Sequence, residues 1–191
     1  MIYPVVSCSC VGTSGSFDQN LTYRLSDFYT AFYFRFLKNQ RPVGENDWLN
    51  LLDHPRQRTR QGLAFEQICL DHVRQIKNAL GIGGVQSNNV SWRGSTETHT
   101  AQIDLLIDQR DQVINLCACK FSLDTFTIDK EYAAKLRRKI DVFKRATKTR
   151  KSVFFTMITT YGTERNSHAD LLVRMEVVLD DLFEPLRQRF W

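Results

Sequence analysis

Long hydrophobic runs are missing from this sequence, and so are several familiar motifs. No apolar run approaches the roughly 20 residues that cross a bilayer, so we expect no membrane-spanning helix. The N-terminus, MIYPVVSCSC, lacks the basic stretch and the long apolar core of a secretory signal peptide. There are no C-x-x-C pairs at zinc-site spacing, no G-x-x-x-x-G-K-[ST] phosphate loop, no internal repeat and no low-complexity tract. These absences argue against a membrane protein, a zinc module, a P-loop ATPase and a repeat protein.

The sequence contains five cysteines, an odd number, in 191 residues. Cys117 and Cys119 lie two residues apart on a predicted strand, so their side chains should share one face. Such a pair is either two small buried apolar residues or part of a metal site, and the absence of zinc spacing favours the first interpretation. Reduced thiols then imply a cytoplasmic protein.

Chain length and charge set the broad class of protein. The 191 residues suit one domain with a sizeable core and leave room for a small appended piece. A net charge of +5 and a pI near 9.0 permit nucleic-acid binding without demonstrating it.

The sequence is organised around residues 101–122, AQIDLLIDQRDQVINLCACKFS. Ile, Leu and Val dominate residues 102–107 and 113–121, and the residues between them are charged or polar, which predicts a β-hairpin. Asp104 interrupts the first strand, and Lys120 lies at the end of the second. Because an unpaired buried charge is costly, we expect both side chains to be paired, metal-bound or catalytic.

The elements around this hairpin predict an α/β fold with a mixed sheet. In chain order we predict a helix over 55–80, a strand over 85–92, the hairpin, a helix over 130–146, and strands over 152–160 and 174–179. A helix that joins two apolar strands is typical of a βαβ unit. Residues 1–54 are predicted to form an N-terminal helical or irregular segment, with residues 1–6 as a candidate strand, packed on a core domain of residues 55–191. An aromatic-rich helix in this segment, capped by Ser26 or Asp27, is expected to be buried.

One face of the helix over 130–146 is basic, and the basic run continues beyond it. Nine Lys and Arg residues lie within 17 positions, and only Asp141 opposes them. Charge runs usually form a solvated face, but this density favours an anionic partner more than the net charge does. The candidate nucleic-acid-binding residues are Arg137, Arg138, Lys144, Arg145, Lys148 and Arg150.

Three ionisable residues lie in chain order on three predicted elements: Glu66 on the helix, Asp104 on the first strand of the hairpin and Lys120 at the end of the second. This order resembles the PD-(D/E)XK nuclease superfamily. The resemblance implies a restriction-endonuclease-like αβββαβ core with a mixed central sheet. It also implies metal-dependent hydrolysis of DNA phosphodiesters, with Asp104 and Glu66 holding Mg²⁺ or Mn²⁺ and Lys120 acting on the attacking water.

Longer runs are similar to the C-terminal nuclease-like domain of a class of prokaryotic ATPases. The similarity covers roughly residues 21–185 and includes the runs GLAFEQICLDHVRQIKNALGI, AQIDLLID, IDKEYAAKLRRK, ITTYG and VVLDDLF. This resemblance implies a cytoplasmic prokaryotic protein with an ATPase as its partner or parent chain.

Ala118 departs from the superfamily pattern, in which a carboxylate stands two residues before the lysine. Its loss should weaken metal affinity and remove nearly all hydrolysis. Two explanations stay open: an engineered knock-out of an active endonuclease, or a naturally non-catalytic module that binds DNA or docks onto an ATPase. Gln102 and Tyr132 are accessory site candidates, and the aromatic-rich helix is a candidate homodimer interface.

Overall fold

Seven β-strands form the centre of the molecule. The computed structural model describes residues 2–10, 18–25, 27–34, 38 and 55–185. The strands are β1 Ile2–Cys10, β2 Asp18–Leu25, β3 Ser87–Ser95, β4 Thr100–Gln109, β5 Val113–Lys120, β6 Ser152–Thr159 and β7 Met175–Val178. They lie side by side in one sheet, in the order β2-β1-β3-β4-β5-β6-β7.

Helices precede, connect and follow these strands. They are α1 Phe28–Phe32, α2 Pro55–Asp71, α3 Val73–Ala79, α4 Lys130–Thr147 and α5 Ser167–Leu172, followed by a 3₁₀ turn at Leu179–Leu182. Among the described residues, no helix combines the length and apolar composition needed to cross a bilayer.

The sheet is mixed in direction. The pairs β1–β2, β3–β4 and β4–β5 are antiparallel, whereas β1–β3, β5–β6 and β6–β7 are parallel. Helix α4 connects the parallel neighbours β5 and β6, as the predicted βαβ unit requires. The predicted α/β class, with its mixed central sheet and its αβββαβ order from α2 to β6, is therefore confirmed.

Helices cover both faces of the central strands. Along β5, Ile114, Leu116 and Ala118 pack towards α4, whereas Cys117 and Cys119 pack towards α2. The alternation follows from the two-residue period of a strand, and both sets are apolar because β5 is buried on both faces.

The cysteines on the α2 face are buried apolar side chains. Cys117 and Cys119 share this face with Cys69, and all three are buried free thiols. Burial raises the pKa of the Cys117 thiol, and a hydrogen bond with Cys69, together with burial, raises the pKa of the Cys119 thiol. Both shifts favour the protonated form of Cys117 and Cys119, as expected for thiols buried in apolar surroundings.

The N-terminal segment departs from its predicted helical or irregular structure. β1 and β2 form an antiparallel pair, and β1 also lies parallel to β3. The prediction used local sequence patterns, whereas β1 also pairs with β3, far along the chain. Helix α1 does form here, and Asp27 caps it by accepting a hydrogen bond from Thr30 N–H at 2.9 Å. Residues 39–54 of the predicted segment lie outside the described residues.

The aromatic side chains of α1 and the residues after it are not in the core. Phe28, Tyr29, Tyr33 and Phe34 are between 42% and 68% exposed. The expectation of burial is therefore wrong for these four side chains. An apolar pattern in a helix does not show which other surface, if any, the helix packs against. The homodimer interface stays a prediction.

Two boundaries in the second part of the chain also differ from prediction. The helix predicted over 55–80 is interrupted at His72, whose φ of −110° lies outside the helical range. The residues between the strands predicted over 152–160 and 174–179 contain α5, which is capped by the side chain of Asn166.

A close contact between Trp92 and its neighbours anchors β3 to α4. The indole is 1% exposed and packs edge-to-face on Phe143 of α4, with ring centroids 5.0 Å apart. Gly94 lies against the same indole, because a Cβ placed on it would be 2.3 Å from Trp92 Cζ2. Glycine is therefore required here by close approach and not by turn geometry.

We expect Gly94→Ala to lower the free energy of unfolding by about 1–3 kcal/mol, because the added methyl group must displace a buried indole. Denaturant unfolding followed by tryptophan fluorescence measures this change. Gly84→Ala is the matched control, since nothing lies within 4 Å of a Cβ at that position. We expect the control to change stability by less than about 1 kcal/mol. Equal losses in the two variants would contradict the proposed contact.

Candidate functional site

Strands β4 and β5 pair over part of their length and then diverge. Their pairing ends where Leu105 faces Cys117, although β5 itself continues to Lys120. Asp104 on β4 and Ala118 on β5 are the next residues beyond this point. An opening therefore forms in the middle of the sheet, beside the residues that the hairpin sequence singled out.

Asp104 bridges this opening. Its Oδ2 accepts a hydrogen bond from the N–H of Cys119 at 3.0 Å, and so replaces the carbonyl that a continuous ladder would supply. Hydrogen bonds to a carboxylate are stronger than those between neutral groups. The half-buried carboxylate is therefore satisfied and held in position by the backbone of β5.

A β-bulge re-aims the side chains at this point of β4. The register with β3 shifts so that Ser91 faces both Asp104 and Leu105. As a result, Ile103 and Leu106 pack on the same α4 face, although they are three residues apart. In a regular strand these two side chains would point to opposite faces.

Lys120 and Tyr132 lie together at the same opening. Lys120 Nζ is 5.4 Å from the centroid of the Tyr132 ring, a cation–π arrangement. The Tyr132 hydroxyl is buried and has no hydrogen-bond partner among the described residues. Burial, with a smaller contribution from the charge of Asp104, raises the pKa of Tyr132, so this hydroxyl stays neutral. Three predicted site residues thus come together.

Ala118 occupies the position of the expected second carboxylate. Its side chain is 2% exposed and packs in the core that faces α4. Lys120 lies two residues further along the same strand, so the two side chains leave β5 on the same face. A methyl group therefore fills the place next to the lysine.

Among the described residues, the opening supplies few ligands for a divalent metal. Asp104 is the one strand carboxylate that the chain supplies for the superfamily pattern. Within the described part of the chain, no group of three or more His, Cys, Asp or Glu side chains could hold a metal ion. Glu66 is half-buried on α2 and already takes part in an interaction. The Asp104–Glu66 metal pair therefore stays a prediction.

Gln102 lies on the exposed side of β4. Its side-chain oxygen accepts a hydrogen bond from Arg93 Nη2 on β3 at 2.8 Å. This cross-strand pair braces the outer part of the β3–β4 hairpin, and an accessory role for Gln102 in the site stays a prediction.

The predicted nucleic-acid-binding cations form an exposed basic surface. The exposed residues are Arg137, Arg138, Lys144, Arg145, Lys148 and Arg150. Lys151, which ends the basic run in the sequence, does not belong to this surface. Its Nζ lies 2.5 Å from Asp108 Oδ1 and donates to the carbonyl of Gln109 at 3.0 Å. Lys151 therefore braces the end of the β4–β5 hairpin.

A groove beside this basic surface was not anticipated from the sequence. It has a volume of about 370 Å³ and separates α4 from the turn that joins β3 to β4. Thr98 and His99 line one wall, and Arg137, Arg138, Asp141 and Arg145 line the other. Nothing in the sequence pattern between the predicted strand over 85–92 and the hairpin indicated that the connecting turn would face α4.

Comparisons with known proteins leave the function open. No protein-family model matches the chain, and no curated protein matches it. Among solved structures, it is similar to a protein described as "Protein of Unknown Function AF1548", with 16% identity and a TM-score of 0.40. The match covers 60% of this chain and 64% of that one, so this chain spans less than two thirds of the other protein's length. This likeness carries no argument about function.

We expect Asp104→Ala to lower the free energy of unfolding by about 1–3 kcal/mol, because the buried N–H of Cys119 loses its acceptor. Asp104→Asn is the matched control, since its amide oxygen can still accept that hydrogen bond, and it should lose less stability. Urea unfolding at neutral pH compares the two variants with the unmodified chain. An alanine variant as stable as the unmodified chain would show that Asp104 does not support the divergence of β4 and β5.

Proposed function

We propose that this chain is a nuclease-fold protein of the PD-(D/E)XK type whose hydrolytic centre is disabled at Ala118. The observation that carries the proposal is the position of Asp104 and Lys120 at the divergence of β4 and β5. The superfamily resemblance requires an acidic and a basic residue at such an opening. Ala118 lies between them and supplies no ligand.

The missing carboxylate explains why hydrolysis is not expected of the chain as sequenced. A metal ion in such a centre polarises the phosphate and lowers the pKa of a bound water. With Asp104 as the one strand carboxylate, affinity for Mg²⁺ or Mn²⁺ should be low. The remaining residues can still contact a nucleic acid without a metal. Lys120 supplies a positive charge at the opening, and Asp104 holds the opening in shape.

A second candidate function is nucleic-acid binding without catalysis. Its support is the exposed basic surface of α4, where Arg137, Arg138 and Arg145 form no ion pair with any described residue. Three exposed guanidinium groups, with Asp141 as the one carboxylate among them, suit a phosphate backbone. DNA as the nucleic acid, an ATPase partner, a homodimer and a cytoplasmic location remain parts of the proposal that rest on the sequence resemblance and on the free thiols.

We expect Ala118→Glu to produce DNA cleavage that depends on Mg²⁺ or Mn²⁺, because it restores the second strand carboxylate. The measurement is conversion of supercoiled plasmid to nicked and linear forms, with and without EDTA. Ala118→Gln is the matched control, since it has nearly the same size but no charge, and it should not cleave. A second substitution, Lys120→Ala, should remove the restored activity. A folded Ala118→Glu protein without cleavage would refute the proposal of a disabled hydrolytic centre.

The same variant should also show a metal-dependent change in stability. Ala118 is 2% exposed, so a glutamate there should be destabilising in the absence of a metal, because its charge is buried. Mn²⁺ at about 100 times its Kd should raise the stability of Ala118→Glu by about 2.7 kcal/mol. Thermal unfolding with and without Mn²⁺ measures this shift. The unmodified chain and Ala118→Gln should respond far less, and an equal response in all three would contradict a metal site at position 118.

A further inference from the structure

We propose that the groove between α4 and the β3–β4 turn is the site that binds the phosphodiester backbone of a nucleic-acid strand. The proposal deepens the proposed function and rests on it in one respect, namely that the partner is a nucleic acid. Of the basic surface, three residues line the groove: Arg137, Arg138 and Arg145. The opposite wall of the groove contains no lysine or arginine.

The first wall of the groove carries a row of positive charge. Arg137, Asp141 and Arg145 follow one another at four-residue intervals and so lie along one side of α4, with Arg138 beside them. Arg137 and Arg145 are eight residues apart, or roughly 12 Å along the helix axis at 1.5 Å per residue. Three guanidinium groups and one carboxylate leave this wall positive. Such a row suits several phosphates in succession better than a single small anion.

The arginine side chains are available for a ligand. All three are exposed, and none forms an ion pair with a residue in the described part of the chain. On the same helix, by contrast, Lys135 is paired with Glu131 at 2.7 Å. Because a guanidinium group can donate two parallel hydrogen bonds to phosphate oxygens, unpaired arginines are suited to this contact.

The second wall is a tight turn that is held in place before any ligand binds. Thr96 N–H donates to the carbonyl of His99 at 2.7 Å, and His99 N–H donates to Thr96 Oγ1 at 3.2 Å. The turn is tied to α4 through the buried contact of Trp92 with Phe143. A groove whose walls are already fixed relative to each other loses little conformational entropy on binding.

One helix, α4, carries both the first wall of the groove and a residue at the opening between β4 and β5. Tyr132 lies on α4 next to Lys120, and Arg138 is six residues further along the same helix. At 1.5 Å per residue, this places the groove roughly 9 Å along the helix axis from Tyr132. Phosphate contacts fix the register and orientation of a bound nucleic acid, so arginines in the groove would position the strand relative to α4.

The direct test is the affinity of the unmodified chain and of Arg137→Ala/Arg138→Ala for fluorescent oligonucleotides, measured by anisotropy in EDTA. Duplex DNA, single-stranded DNA and single-stranded RNA of one sequence identify which backbone fits. For the form that binds, the double variant should lose at least tenfold in affinity. The slope of log K against log salt should become shallower by about 1.4–1.8, since two phosphate contacts are lost. Arg74→Ala/Arg165→Ala removes the same charge from exposed positions elsewhere and should change affinity less than about threefold.

A steric variant separates the groove from the charge of the helix. Ala134 is exposed and lines the groove, so Ala134→Phe fills it while every cation is kept. We expect at least fivefold weaker binding with an unchanged thermal midpoint. Ala79→Phe, at an exposed position of α3, is the matched control and should bind as the unmodified chain does.

Three results would overturn the groove as the binding site. The first is that none of the three oligonucleotides binds, and the second is that Ala134→Phe binds with full affinity. The third is that Lys144→Ala/Lys148→Ala loses as much affinity as Arg137→Ala/Arg138→Ala does. Failure of Ala118→Glu to cleave would instead remove the disabled nuclease while leaving the groove intact, because the binding measurements use no metal and no residue of the opening. Cleavage by Ala118→Glu, together with normal binding by the groove variants, would support the disabled nuclease and overturn the groove.

Discussion

The hydrogen bond between Asp104 and the backbone N–H of Cys119 is the interaction on which the arrangement of the site depends. A sheet that opens in its middle leaves backbone groups without ladder partners, and buried unpaired groups are costly. Asp104 satisfies one of them across a gap of 3.0 Å, and the bulge opposite Ser91 allows its side chain to do so. Neighbouring side chains on β5 then reach the opening, among them Lys120. The shape of the site is thus a consequence of where the pairing between β4 and β5 ends.

Because Asp104 has this structural role, its presence at the opening is weaker evidence for catalytic activity. A retained Asp104 would ordinarily favour a recently active metal centre, but here it also has a reason to be present in a protein without catalysis. The same holds for Lys120, whose ammonium group lies over the Tyr132 ring. Their presence beside Ala118 is therefore compatible with an engineered knock-out and with a natural binding module. The proposed disabled nuclease is distinguished by the effect of a carboxylate at position 118, which would supply a second strand ligand for a divalent metal.

Helix α4 connects the opening to the groove within one rigid element. Asp129 caps its first turn by accepting from Tyr132 N–H at 2.7 Å, and Lys148 ends it in the left-handed conformation. Its apolar face covers the sheet and its outer face carries the arginines. The proposed binding groove and the opening between β4 and β5 are therefore held at a constant separation.

The local pattern of the sequence determined the hairpin of β4 and β5, the amphipathic helix α4, the βαβ crossover and the shared face of Cys117 and Cys119. Each of these follows from side-chain periodicity within a short window. Tertiary structure alone decided that β1 and β2 join the sheet, that the aromatic residues near Phe28 stay exposed, and that Lys151 pairs with Asp108. It also decided that the β3–β4 turn faces α4. These features depend on contacts between residues far apart in the chain. The spacing of apolar and polar residues within a short window does not predict the energy of such contacts.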